Sequence, residues 1–117
     1  MAVLVIEHRL ERDVLVLSTR GYLDRDGGQA LRTACLAQAT PTLRGVVFNF
    51  AGSPVINSSG LSAVLDLVGR LTEPRDLPIA VCGLSSLARS AFRTAGILAL
   101  VREHPGEETA VLAVAGA

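Results

Sequence analysis

Apolar and polar positions along this chain predict a regular succession of strands and helices. Residues 2–8 alternate weakly before a turn around Glu11-Arg12-Asp13. Val14-Leu15-Val16-Leu17-Ser18-Thr19 is a second β-type run rich in branched side chains, and the two segments suit an edge hairpin. Gly21-Tyr22-Leu23-Asp24 breaks the pattern, with Asp24 placed to cap a helix over residues 25–39. In that helix Ala30, Leu31, Ala34, Cys35 and Gln38 recur at spacings of three and four. Gly27-Gly28 weakens its first turn, each Gly costing about 1 kcal/mol against Ala in a helix interior.

Gly45 to Phe50 is almost wholly apolar, as in a strand covered on both faces at the centre of an α/β sheet. A Gly-Ser-Pro loop leads to Asn57-Ser58-Ser59-Gly60 and then to Leu61, Val64, Leu65, Val68 and Leu71, the apolar stripe of a helix that Pro74 closes. Residues 78–83 form another buried-type strand. Ser85 caps a helix with Leu87, Ala88, Ala91, Phe92 and Ala95 on one face and Gly96 as its C′ residue. Leu98-Ala99-Leu100-Val101 reads as a last strand, and Glu107-Glu108 open a C-terminal helix whose dipole they complement. The order β-β-α-β-α-β-α-β-α argues for an α/β layer structure with a mainly parallel sheet. The length, 117 residues, fits one domain over 1–117.

Composition narrows the function. Aromatics make up 3%, so the core has to be aliphatic, and there is almost no surface on which bases could stack. Eleven basic residues balance eleven acidic ones, which argues against direct nucleic-acid binding. The N-terminal apolar run stops at Glu7 without a basic flank, and Ala110–Ala115 falls far short of the roughly 20 residues that span a bilayer. The expectation is a soluble cytoplasmic protein with no membrane insertion. Cys35 and Cys82 belong to no Cys-x-x-Cys pair and read as buried reduced thiols, a disulfide being the minor alternative.

Candidate chemistry is sparse. His8 and His104 lie on separate elements without ligand spacing, so both read as surface histidines and no metal site is expected. Ile56-Asn57-Ser58-Ser59-Gly60 is not the Gly-x-Ser-x-Gly elbow of a serine nucleophile, and no phosphate-binding glycine motif occurs. No cofactor and no enzymatic activity are expected. The junction itself is more suggestive. With Asn57 as N-cap, Ser58 is the first helical residue, where the dipole tolerates a phosphate of about −1.5 to −2 charges. A partner docked there would meet an unpaired dianion, costly to desolvate. A plain capped helix start explains the same residues, and physics by itself favours that simpler account.

The same residues resemble a known family. Gly21-Tyr22-Leu23-Asp24, the strand Val46 to Phe50, the motif Ile56-Asn57-Ser58-Ser59-Gly60-Leu61 and the segment Arg93-Thr94-Ala95-Gly96-Ile97 are together similar to STAS domains, in particular the single-domain anti-sigma factor antagonists of bacteria. The resemblance covers nearly the whole chain. It implies a STAS-like mixed, mainly parallel sheet with helices packed around it, and a protein that is monomeric when free. It also implies binding to an anti-sigma factor that is often a serine-protein kinase, with release when that kinase phosphorylates Ser58. Asn57, Ser58, Ser59, Gly60 and Leu61 would then form the partner-binding turn. The family's usual Asp is Asn57 here. That departure keeps an alternative open: a STAS subunit of a stress-signalling scaffold or of a transport system, without phosphoregulation.

Overall fold

A computed structural model of the chain describes residues 4–116. Its strands are β1 (Val5–Glu11), β2 (Val14–Arg20), β3 (Gly45–Gly52), β4 (Ile79–Cys82) and β5 (Arg102–His104). The helices are α1 (Arg25–Gln38), α2 (Ser58–Thr72), α3 (Ser86–Thr94) and α4 (Glu107–Ala115). The five strands lie in sequence order, β1 antiparallel to β2 and all others parallel. This is the mixed, mainly parallel sheet that the alternation of elements predicts.

The central strands read as continuous apolar runs because both faces are covered. Leu15, Leu17, Val46, Phe48, Phe50, Ile79 and Val81 point to one face, into a core shared with Leu31, Val64, Val68 and Phe92 of α1–α3. Val14, Val16, Val47 and Ala80 point to the other, against Ala110, Val111 and Val114 of α4. This is the two-residue strand period sorting a single apolar run into two cores. Phe48, Phe50 and Phe92 form an aromatic chain within the larger core, with ring centroids 5.9 Å and 5.5 Å apart.

Several elements depart from the sequence reading. The first strand runs over Val5–Glu11 rather than 2–8, and residues 1–3 lie outside the described residues. Its turn is just Arg12-Asp13, both at positive φ (54° and 61°), the geometry of a tight two-residue hairpin. Leu98–Val101 is not a strand. After Gly96 (φ 83°) ends α3, Ile97–Ala99 form a short 3₁₀ turn pinned by fully buried Ile97, and the last strand is Arg102–His104. In α2 the buried stripe is Gly60, Val64, Leu67, Val68 and Leu71; Leu65 is 37% exposed, since Leu67 continues the stripe three residues beyond Val64. Leu87 is not a core residue either: it stands 60% exposed in the first turn of α3. In α1 the core takes Leu31 and Cys35, while Ala30 and Gln38 face outward.

Gly27-Gly28 has a steric purpose that propensity alone hides. A Cβ on Gly28 would lie 2.4 Å from the Cβ of Ala63, so α1 and α2 pack closer than two side-chain-bearing positions permit. Both cysteines are buried and unpaired, as expected. Burial pushes the Cys35 thiol up to about 12. Burial, aided by the charge of Glu107, pushes Cys82 up to about 11, so both stay protonated and unreactive at neutral pH.

Candidate functional site

The junction between β3 and α2 is built as a rigid display. Its loop is anchored at the base by a buried hydrogen bond between the hydroxyls of Thr19 and Ser53 (2.7 Å). Ser85 Oγ, the N-cap of α3, donates to the Pro54 carbonyl (2.8 Å) and ties the loop to the neighbouring crossover. On the other side Leu23 N–H donates to the Val55 carbonyl (3.1 Å), and Asn57 N–H donates to the Leu23 carbonyl (3.2 Å). Leu23 and Ile56 thereby form an isolated parallel bridge that brings the starts of α1 and α2 side by side.

Each helix start is capped by its own side chain. Asp24 Oδ1 accepts from Gly27 N–H and Asn57 Oδ1 accepts from Gly60 N–H, both at 2.8 Å. Asn57 therefore caps α2 with the same geometry that the Asp24 carboxylate gives α1. Gly60 permits the close approach, because a Cβ there would sit 2.0 Å from the Leu23 carbonyl oxygen. Leu61 is half-buried against the core and closes the motif from below.

Ser58 and Ser59 are exposed on the first turn of α2, and neither hydroxyl has a hydrogen-bond partner among the described residues. A shallow cleft bordered by Asp24, Arg25, Asp26, Asn57 and Ser59 runs between the two helix starts. Tyr22, Val55 and Leu87, all exposed, follow the carboxyl ends of β2, β3 and β4, the end of the sheet at which Ser58 is displayed. Open α/β sheets present their binding surfaces at that end. The structure thus brings Asn57, Ser58, Ser59 and Gly60 together as one turn, with an apolar fringe that periodicity did not disclose.

A second polar cluster lies on the opposite face. Ser18, Asn49, Cys82 and His104 are laterally paired across β2, β3, β4 and β5. Glu107, at the start of α4, reaches onto this row. It accepts from Asn49 Nδ2 (2.7 Å), Ser18 Oγ (3.0 Å) and Arg9 Nη1 (2.7 Å). The hydrogen bond from Asn49 holds its carboxyl below the usual range against the opposing effect of burial, with Arg9 and Ser18 adding to the depression. By sequence alone Glu107 reads only as a complement to the helix dipole. Its partners lie up to 98 residues away, so no local pattern could mark it. His104 also differs from the surface histidine expected: it is half-buried, and its Nε2 is buried without a partner among the described residues. His8 is exposed, as expected.

A pH dependence follows from the Glu107 cluster. Its folded pKa is depressed, so its contribution is present above the unfolded carboxylate value and disappears as pH falls through the folded one. Glu107→Gln is expected to cost about 2 kcal/mol at pH near 7, the scale of hydrogen bonds to a charged group. Urea unfolding of wild type and variant should converge as pH falls well below about 4. A gap independent of pH would show that the ionised carboxylate is not the stabilising species.

Comparison with solved structures places this architecture. An anti-sigma factor antagonist from Mycobacterium paratuberculosis superimposes with a TM-score of 0.76 at 19% identity, covering 95% of this chain and 93% of its own. An anti-sigma-factor antagonist (STAS) domain protein from Planctomyces limnophilus gives 0.78 at 20% identity over 93% and 96%. The murine Slc26a9 anion transporter gives 0.79 at 11% identity, with all of this chain matching 23% of the transporter. No family model matches the sequence, and no curated protein matches it. The fold is therefore that of STAS domains. It is shared by antagonists and by part of a transporter, so function must be argued from the site.

Proposed function

We propose that this protein is a non-enzymatic binding switch, an anti-sigma factor antagonist. In this reading the turn Asn57-Ser58-Ser59-Gly60-Leu61 docks on an anti-sigma factor of the serine-kinase type in the bacterial cytoplasm. Phosphorylation of Ser58 then ends the complex. One observation carries the proposal: Ser58 stands exposed at the first position of a helix that is capped by another residue. Its hydroxyl is free for chemistry because Asn57 does the capping, and modifying it removes no hydrogen bond among the described residues. The helix start favours the added negative charge. The fringe of Tyr22, Val55 and Leu87 supplies apolar contact area around the switch. The anti-sigma factor antagonists among the structures of similar fold support this reading.

Asn57 supports a second reading. Without the family's carboxylate, the turn lacks one charge that a kinase could recognise. The same domain would then serve as an unmodified subunit of a larger assembly, a use of the fold for which the transporter offers a structural parallel. Incubation with ATP and the cognate anti-sigma factor separates the two. Mass spectrometry should find one added phosphate, mapped to Ser58 and absent from Ser58→Ala. A chain that binds its partner but gains no phosphate belongs to the second reading.

A further inference from the structure

We propose that two copies of this chain pair through the free edge of β1, antiparallel, about a two-fold axis at His8. Among the described residues β1 ends the sheet and is bonded to β2 alone. Its seven residues contain no proline, and their register with β2 runs without a bulge. Natural edge strands usually carry such features as protection against pairing. The tight Arg12-Asp13 turn makes Glu11 and Val14 a hydrogen-bonded pair, so by alternation Val5, Glu7, Arg9 and Glu11 bond to β2. Ile6, His8 and Leu10 then turn their N–H and C=O groups toward the open side.

Charge complementarity selects the occupant and the register. When all seven residues pair with a second copy, Glu7 lies opposite Arg9, Ile6 opposite Leu10, and His8 opposite itself. Glu7 and Arg9 meet at non-hydrogen-bonded positions, where side chains approach most closely. Sliding either copy by two residues sets Glu7 against Glu7 or Arg9 against Arg9 on the axis, and like charges directly opposite repel. Arg9 has capacity for the contact. Its guanidinium spends three donors on Glu11 and Glu107, which leaves two of five. Among the described residues Glu7 is engaged only by a long, exposed ion pair with Arg20 at 4.0 Å. Leu10, 59% exposed in the single copy, would be covered by Ile6 of the second.

One strand pair is a small interface, so the dimer is a weak, concentration-dependent one, contrary to the monomer implied by family resemblance. It makes no use of Ser58. Sedimentation velocity from about 10 µM to about 1 mM should show the wild type passing from monomer to dimer. Glu7→Arg and Arg9→Glu should each weaken association at least tenfold. Mixed one to one, they should recover it, because each then offers the other two opposite-charge pairs. A wild type that stays monomeric at the highest concentration overturns the proposal. So does dimerisation unaffected by Glu7→Arg, or a mixture of two folded variants that stays monomeric. Arg9→Glu gives up the contact with Glu107; if it does not fold, Glu7→Arg, which disturbs no buried contact, decides the matter alone.

Discussion

Gly60→Ala is expected to destabilise the protein by about 3 kcal/mol, at the upper end of the usual cost of overpacking. The new Cβ would stand 2.0 Å from the Leu23 carbonyl oxygen, 2.7 Å from its carbon and 3.1 Å from the Asp24 oxygen. All three are backbone atoms, so no rotamer change relieves the clash. Relief requires α2 to back away from Leu23. That movement breaks the hydrogen bond from Asn57 N–H to the Leu23 carbonyl and loosens the Leu23–Ile56 bridge. Helix propensity acts in the opposite direction, favouring Ala by about 1 kcal/mol, and is too small to change the sign. Gly69→Ala, in the same helix, provides the control. Nothing lies within 4 Å of a Cβ there, so the same substitution should stabilise by about 0.5–1 kcal/mol. Urea titration of the two variants tests the contrast. If Gly60→Ala is as stable as wild type, the close contact between α2 and Leu23 is wrong.

Those two glycines show what a sequence can disclose about this fold and what it withholds. Asn57, Ser58 and Gly60 were legible because capping is local: Asn57 Oδ1 and Gly60 N–H are three residues apart, and the chemistry of one predicts the other. β2, β3 and β4 were legible because burial on both faces leaves uninterrupted apolar runs. β5 was not. Arg102-Glu103-His104 is a three-residue edge strand with a polar sequence, and its hydrogen bonds to β4 leave no apolar signature. The apolar run Leu98–Val101 reads as a strand instead, whereas Ile97, just before it, is the buried anchor of a 3₁₀ turn. Leu65 and Leu67 are equally apolar, so only the observed packing of α2 distinguishes them. Gly28 reads as a weakness because propensity counts only the helix in which a residue sits. Its reason is Ala63, on a different helix. Glu107 is the extreme case, since Arg9, Ser18 and Asn49 come from three strands that only the folded sheet brings together.

In the proposed antagonist, Ser58→Glu is expected to weaken partner binding at least about a hundredfold while leaving the fold intact. The two effects separate because the position is exposed and its hydroxyl has no partner among the described residues. A carboxylate in the first turn of α2 interacts favourably with the helix dipole, by about 0.3–1 kcal/mol, so thermal stability should hold or rise slightly. Docking is a different matter. A partner that covers the turn must strip water from the new charge, and an unpaired buried ion costs several kcal/mol. Because 1.4 kcal/mol is a factor of ten, affinity measured by calorimetry should fall at least a hundredfold. Ser58→Ala removes only an unbonded hydroxyl and should bind nearly as wild type. This pattern distinguishes a switch from a structural serine, for which Ala and Glu would both alter stability and neither would act selectively on binding. A folded Ser58→Glu protein that binds as tightly as wild type would place the docking surface elsewhere. The apolar fringe at Tyr22, Val55 and Leu87 would then have to bind its partner without covering Ser58, and phosphorylation at that position could not control the complex by desolvation.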